Sequence, residues 1–193
     1  MKPILYSYWL SSCSWRVRIA LELKKIDYEY RAVPLDVRDQ HKEDYKKYKE
    51  LNPMNQVPTF ILNGVTLTQS MAILEFLEEI YPQVKILPTD ISKRAKVREI
   101  CEVINAGIQP LQNPSVMNKH SQVQEEKVAW CHFWIKKGLT AVEELGNVHV
   151  LDQQGFSTEF LTGFSTGSST GSSTGFSMGF STGFSMGNQT LCF

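Results

Sequence analysis

Pro3-Ile-Leu-Tyr-Ser-Tyr-Trp-Leu-Ser-Ser-Cys-Ser-Trp-Arg-Val-Arg18 decides how the N-terminal half of the chain is read. Its first six residues make a short apolar strand. From about Ser14 to Lys24, Val17, Ala20, Leu21 and Lys24 recur at helical spacing. Between the two, Ser11, Ser12, Cys13 and Ser14 crowd a strand-to-helix turn. The first N–H groups of a helix lack intrahelical partners and the helix dipole is positive there, so this turn favours a negative charge. A thiolate or a carboxylate suits it. Whether the thiolate is the chain's own or a bound one decides the chemistry.

Working outward, residues 3–81 alternate strand and helix. Tyr28 to Val33 alternates like a second strand, and the Lys-rich stretch from His41 to Glu50 reads as an exposed loop and short helix that Asn52-Pro53 breaks. Thr59-Phe-Ile-Leu62 and Val65-Thr-Leu67, joined by Asn63-Gly64, predict a hairpin. Met71 to Tyr81 predicts a helix with Ile73, Leu74, Leu77 and Ile80 on one side, stopped before Pro82. The order βαβ, α, ββ, α describes a small mixed sheet with helices packed on it. Residues 83–90 read as a linker in which Thr89, Asp90 and Ser92 are each suitable N-caps. One helix then carries Ala95, Arg98, Cys101 and Ile104 near one face and stops at Gln109-Pro110. Another runs from about Gln122 to Leu145 with Val128, Cys131, Ile135, Leu139, Val142 and Leu145 at helical spacing.

The chain has 193 residues and a formal charge of zero, which removes any global basic footprint for nucleic acid. The balance is uneven, because every Lys and Arg lies at or before Lys137. Pro3 to Leu10 is too short for a signal peptide, and no apolar run approaches the ~18 residues that span a bilayer. The four cysteines show no CxxC spacing and no His/Cys cluster, so no metal site is expected and a reduced, cytoplasmic setting is. From Gly155 onward a four-residue Gly-Phe-Ser-Thr period sets in, with glycines at 163, 167, 171, 175, 179, 183 and 187. Residues 147–193 therefore read as a low-complexity, disordered tail. Its repeated Gly-x-Ser-x-Gly matches have no strand before and no helix after, which argues against a hydrolase nucleophile elbow.

Three places carry residues suited to chemistry. Gln56-Val57-Pro58 precedes the hairpin, and a proline there, with a cis bond, re-aims the Val57 carbonyl and amide toward an extended peptide-like ligand. An ordinary loop-to-strand proline is the plain alternative. Ser70, after Gln69, is a natural N-cap of the Met71 helix, and the same N-terminus suits a ligand carboxylate. At the first turn, one serine caps the helix while Cys13 packs; or Cys13 is a redox nucleophile with a depressed pKa; or a serine hydroxyl donates to the thiolate of a bound thiol.

Together, Ser11-Ser-Cys-Ser-Trp-Arg-Val-Arg-Ile-Ala-Leu21, Leu51-Asn-Pro-Met54, Gln56-Val-Pro58 and Ile108-Gln-Pro-Leu-Gln-Asn113 resemble the zeta class of glutathione transferases, the maleylacetoacetate isomerases, over roughly residues 1–146. The resemblance implies an α/β, thioredoxin-like N-terminal domain (βαβαββα, residues 1–82), and an incomplete all-α C-terminal domain over 91–146. It implies glutathione as cofactor. Ser11 would be the main donor to the glutathione sulfur, with Ser12 and Cys13 completing the catalytic turn and Ser14, Trp15 and Arg16 in the same binding segment. Val57 would pair through its backbone with the cysteinyl part, Gln69 and Ser70 would hold the γ-glutamyl end, and Gln109, Asn113 and Ser115 would line the pocket from the second domain.

The activity so implied is glutathione-dependent cis–trans isomerisation of maleylacetoacetate to fumarylacetoacetate in tyrosine and phenylalanine catabolism, with transferase activity toward α-halo acids such as dichloroacetate. Both substrates are small anions, which makes Arg16 and Arg18 candidate electrostatic helpers. The family is homodimeric, free of membrane and nucleic-acid partners, and found in cytosol and mitochondria. The chain departs from the family in three ways: Asp36 to Tyr48 lacks the usual Gly-Gln loop and places Glu43 near the loop glutamine, position 114 is Pro, and the later helices with the substrate-binding arginine are missing. A non-catalytic glutathione-binding module and a monothiol oxidoreductase using Cys13 are the other readings.

Overall fold

The computed structural model describes residues 1–33 and 43–149. Its elements are β1 (Ile4–Ser7), α1 (Ser12–Leu23), β2 (Glu29–Ala32), α2 (Glu43–Leu51), β3 (Thr59–Leu62), β4 (Val65–Thr68), α3 (Ser70–Ile80), α4 (Ile91–Gly107), α5 (Pro114–His120) and α6 (Gln124–His149). The four strands form one sheet in the order β2-β1-β3-β4, with β1 parallel to β2 and antiparallel to β3. This is the expected βαβαββα unit followed by helices. The repeat from residue 150 onward lies outside the described residues, and 147–149 belong to α6.

The β3–β4 hairpin forms because Asn63 and Gly64 both take positive φ, 49° and 82°, as a tight two-residue turn between twisted strands requires. One face of the sheet, through Leu5, Phe60 and Leu62, packs on Val17, Ala20 and Leu21 of α1 and Ile73, Leu74 and Leu77 of α3. The other face holds Val33, Tyr48 and Val57 with Tyr6, Tyr8 and Leu51, which places α2 opposite α1 and α3. Lys24, at the end of the apolar stripe of α1, is buried too. Its ammonium meets Glu78 at 2.7 Å.

In α4 the apolar face differs from the expected one. Ala95 and Arg98 are exposed, while Val97 and Ile100 are buried, and helical spacing carries that stripe through Ile104 to buried Ile108. The difference arises because α4 faces two neighbours. The Val97 stripe packs toward α6, while Arg98 forks onto Glu75 of α3 through two 2.8 Å bonds. Among the candidate caps Asp90 is used, its side chain accepting from the Lys93 N–H at 2.8 Å.

A short helix, α5, was not foreseen. Pro114 occupies its first turn, where no N–H donor is needed, and Asn113 caps it. In α6, Cys131 is fully buried and the remaining residues of the expected stripe are half-buried. The crossing with α4 is closest at Gly138, where an added Cβ would lie 2.2 Å from Ile108 Cγ1. Ile108 is β-branched and stiff at χ1. Gly138→Ala is therefore expected to destabilise the chain by about 1–3 kcal/mol despite the better helix propensity of Ala. A urea midpoint that falls for Gly138→Ala in the wild-type chain but not when the same change is made in an Ile108→Ala background would identify the close approach as the cause.

Candidate active site

The strand register brings the three chemically suggestive segments to one end of the sheet. Tyr6 pairs with Thr59, and Thr59 pairs with Thr68, across β1, β3 and β4. The chain leaving β1 therefore reaches Ser11 beside the chain entering β3 through Val57-Pro58. The chain leaving β4 reaches Gln69-Ser70 on the far side. Sequence spacing had kept these segments up to 59 positions apart.

Ser11 is the N-cap of α1, its hydroxyl oxygen accepting from the Ser14 N–H at 3.2 Å. Acting as acceptor there, the hydroxyl keeps its own proton to donate. Capping and donation are thus compatible. Ser12 is exposed, and Ser14 is fully buried with its hydroxyl unpartnered among the described residues. The Trp15 indole N–H and an Arg18 guanidinium N–H both donate to the Trp9 carbonyl, at 3.1 and 3.2 Å, and Arg18 stacks over the Trp15 ring. Arg18 thus braces the loop that carries Ser11, and its partial burial pulls its pKa downward.

Cys13 is half-buried, and that burial pushes its thiol up, with the Arg16 charge and a hydrogen bond with Ser70 acting in the opposite direction. A depressed thiol, as the monothiol reading needs, is not what this turn makes. Ser70 is also corrected. It is the first residue of α3 rather than its cap, and the cap position falls to Gln69, whose side chain makes no capping bond. The Ser70 hydroxyl instead accepts from Arg16 Nη1 at 3.1 Å. The same nitrogen donates to Asn105 Oδ1 of α4 at 2.8 Å. Gln69 has φ 71° and ψ 115°, a strained conformation for a residue with a Cβ. It turns the chain so that the first N–H groups of α3 open at the end of the sheet.

The Val57–Pro58 peptide bond is cis, the first of the two readings the sequence left open. The segment before it is held by a buried polar network that the sequence did not announce. The Gln56 carbonyl accepts from the Tyr48 hydroxyl and from Asn52 Nδ2, the latter at 2.6 Å, and both donors also contact Thr59 Oγ1, at 2.8 and 3.2 Å. The Gln56 carbonyl and the Val57 N–H share one planar peptide unit and point opposite ways. Anchoring the carbonyl on α2 therefore aims the Val57 N–H away from α2. Among the described residues that N–H has no backbone partner. Asn52→Ala removes both of its bonds here and also the acceptor of the Met54 N–H at 3.1 Å, three bonds in all, so it is expected to cost about 1–3 kcal/mol, read as a lowered unfolding midpoint. Tyr48→Phe removes only two bonds, to acceptors that Asn52 still serves, and should cost less.

Asn113 and Ser115 are engaged with each other: the Asn113 side chain accepts from the Ser115 N–H at 3.0 Å and from its hydroxyl at 2.8 Å. Gln109 is half-buried just beyond α4. Among the described residues no hydrogen bond joins these three to α1 or α3. A separate small pocket between α3 and α4 is lined by Met71, Leu74, Ile86, Leu87, Glu75, Arg98 and Cys101, and no residue of the serine turn lines it.

Residues 1–79 match the family model described as Glutathione S-transferase, N-terminal domain. Over 144 residues the chain is 49% identical to the probable maleylacetoacetate isomerase 2 of Drosophila melanogaster, covering 75% of this chain and 62% of that protein. It is likewise 49% identical to the maleylacetoacetate isomerase of Mus musculus, covering 75% of this chain and 65% of that one. The chain thus spans somewhat under two thirds of the length of these relatives. Among solved structures, it superposes on a maleylacetoacetate isomerase from Anaeromyxobacter dehalogenans that carries glutathione in its active site. There the TM-score is 0.65 and the identity 43%, covering 76% of this chain and 68% of the other.

Proposed function

The chain belongs to the glutathione S-transferase family, and from that premise we propose that it binds glutathione at the Ser11, Val57 and Ser70 ends of the sheet and isomerises maleylacetoacetate to fumarylacetoacetate. The observation that carries this reading is the register row Tyr6–Thr59–Thr68, which gathers a free hydroxyl proton, an outward peptide N–H and an open helix N-terminus at one place. Those groups match, in order, a thiolate, a peptide backbone and a carboxylate. Glutathione offers all three along its length. When bound, it supplies reversible nucleophilic addition to a cis double bond, which allows rotation and leaves the trans isomer on re-elimination.

The chain's own residues do the rest. Ser11 donates its proton to the sulfur, which favours the thiolate where a free thiol of pKa ~8.5 is mostly protonated at neutral pH. The peptide of Val57 pairs with the cysteinyl backbone. Gln69 and Ser70 hold the γ-glutamyl carboxylate on the N-terminus of α3, and Arg16 adds a positive charge one hydrogen bond away. Ser12 and Cys13 wall the turn, while Gln109, Asn113 and Ser115 face the pocket from the helical side. Dechlorination of small α-halo acids by the same nucleophile, a homodimeric state and a cytoplasmic or mitochondrial location belong to the same proposal.

The test is glutathione-dependent isomerisation of maleylacetone by the full chain, alongside retention on a glutathione matrix. Turnover that requires glutathione is expected. Retention without turnover would replace the isomerase by a glutathione-binding module, and neither retention nor turnover would remove both.

A further inference from the structure

Arg16 Nη1 carries two hydrogens, and both are committed: one to Ser70 Oγ at 3.1 Å, the other to Asn105 Oδ1 at 2.8 Å. These contacts join three helices, α1, α3 and α4, across the boundary between the sheet domain and the helical region. A guanidinium only donates, so Ser70 must accept from it, and the Ser70 hydroxyl proton is turned elsewhere. In the protein alone, the Arg16 charge and the Ser70 hydroxyl both favour the Cys13 thiolate against the burial that opposes it. Ser70 itself is buried, with 4% of its surface exposed, at the first residue of an eleven-residue helix. Few hydroxyl orientations are open to it once Arg16 is in place.

We propose that Asn105 is a positioning residue that holds the Arg16 guanidinium against Ser70, so that Ser70 presents its hydroxyl proton to the carboxylate at the γ-glutamyl end of glutathione. The carboxylate half of this assignment rests on the glutathione reading above; the orientation of Arg16 and Ser70 does not. Without Asn105 the long Arg16 side chain has one anchor instead of two, and solvent at the domain boundary competes for it. The Ser70 proton is then no longer directed. Asn105 in this way tunes the ligand chemistry of the sheet domain without itself touching the ligand.

Asn105→Ala tests this, and Ala is the residue best tolerated in a helix, so the fold should survive. Affinity for glutathione is expected to fall about fivefold. Affinity for 4-aminobutyryl-cysteinyl-glycine, which lacks only the γ-glutamyl α-carboxylate, should change less than twofold. Asn105→Asp keeps an acceptor at the same place and should restore most of the glutathione affinity. Equal losses for both ligands, or no loss for either, would overturn the proposal. A second measurement needs no ligand: the rate at which iodoacetamide alkylates Cys13, followed peptide by peptide at fixed pH. That rate should fall in Asn105→Ala, because the charge and hydrogen bond that favour the thiolate are loosened. A merely opened boundary would expose the thiol and speed its alkylation, and an unchanged or faster rate counts against the proposal. Failure of the wild-type chain to bind glutathione would instead remove the functional reading, leaving the alkylation rate to decide the role of Asn105.

Discussion

Ser11→Ala is expected to lower kcat/KM for maleylacetone by about a hundredfold, the scale set by removing one donor aimed at developing charge in an active site. The same change removes the N-cap of α1, whose oxygen accepts the Ser14 N–H, and that loss is worth about 1 kcal/mol of stability. Both effects come from one atom, so a single variant cannot separate them. Ser11→Asp does. Aspartate caps a helix as well as serine, so stability should stay near that of the wild type. Its carboxylate sits where the thiolate must form and has no proton to give at neutral pH, so activity should remain as low as in the alanine variant. If activity instead follows stability across the two variants, Ser11 acts only as a cap. If Ser11→Ala keeps most of the activity while Cys13→Ser loses it, the nucleophile is the chain's own thiol.

The order of elements was legible because each local signal agreed with its neighbours: an apolar strand, a helical stripe from Val17 to Lys24, the Asn63-Gly64 turn, and Pro82 after Tyr81. The serine turn and the Val57-Pro58 and Gln69-Ser70 segments were legible as types of residue; their meeting followed from the family resemblance and not from spacing, and the strand register supplies its physical cause. What the sequence hid were contacts that satisfy a polar group from a distant element. Tyr48 and Asn52 sit in a polar stretch that gives no periodic sign of their reach to Gln56 and Thr59. Asn105 lies on a helix whose apolar pattern says nothing about Arg16. Gly138 reads as a weak helix residue until the crossing with Ile108 is seen. The face of α4 was misplaced for a related reason. A helix between two neighbours has two contact faces: Arg98 and Cys101 belong to the one toward α3, and Val97 and Ile100 to the fully buried one.

Glu78→Leu is expected to have the largest effect on stability, about 3–5 kcal/mol, a substantial fraction of the ~5–15 kcal/mol that holds a domain folded. The Lys24 side chain is fully buried and that of Glu78 only 8% exposed. Around them every group has a partner: the ammonium also donates to the carbonyls of Tyr81 at 3.0 Å and Val84 at 2.6 Å. The carboxylate accepts the N–H groups of Ile86 and Leu87, at 3.0 and 3.2 Å. The cluster thereby fastens the ends of α1 and α3 to the segment that leads into α4. Removing the carboxylate leaves the Ile86 and Leu87 N–H groups without an acceptor and the buried ammonium without its counter-charge. Removing the ammonium, in Lys24→Met, leaves a carboxylate that still holds two N–H groups, so it should cost less. The double variant buries no charge and should be more stable than Glu78→Leu, yet it cannot equal the wild type, because the Ile86 and Leu87 N–H groups and the two carbonyls lose partners that an apolar pair does not replace. Chemical denaturation of the four proteins gives the coupling directly. Additive losses would mean that the two side chains act independently, and the linker would then owe its position to Ile86 packing in the core rather than to the ion pair.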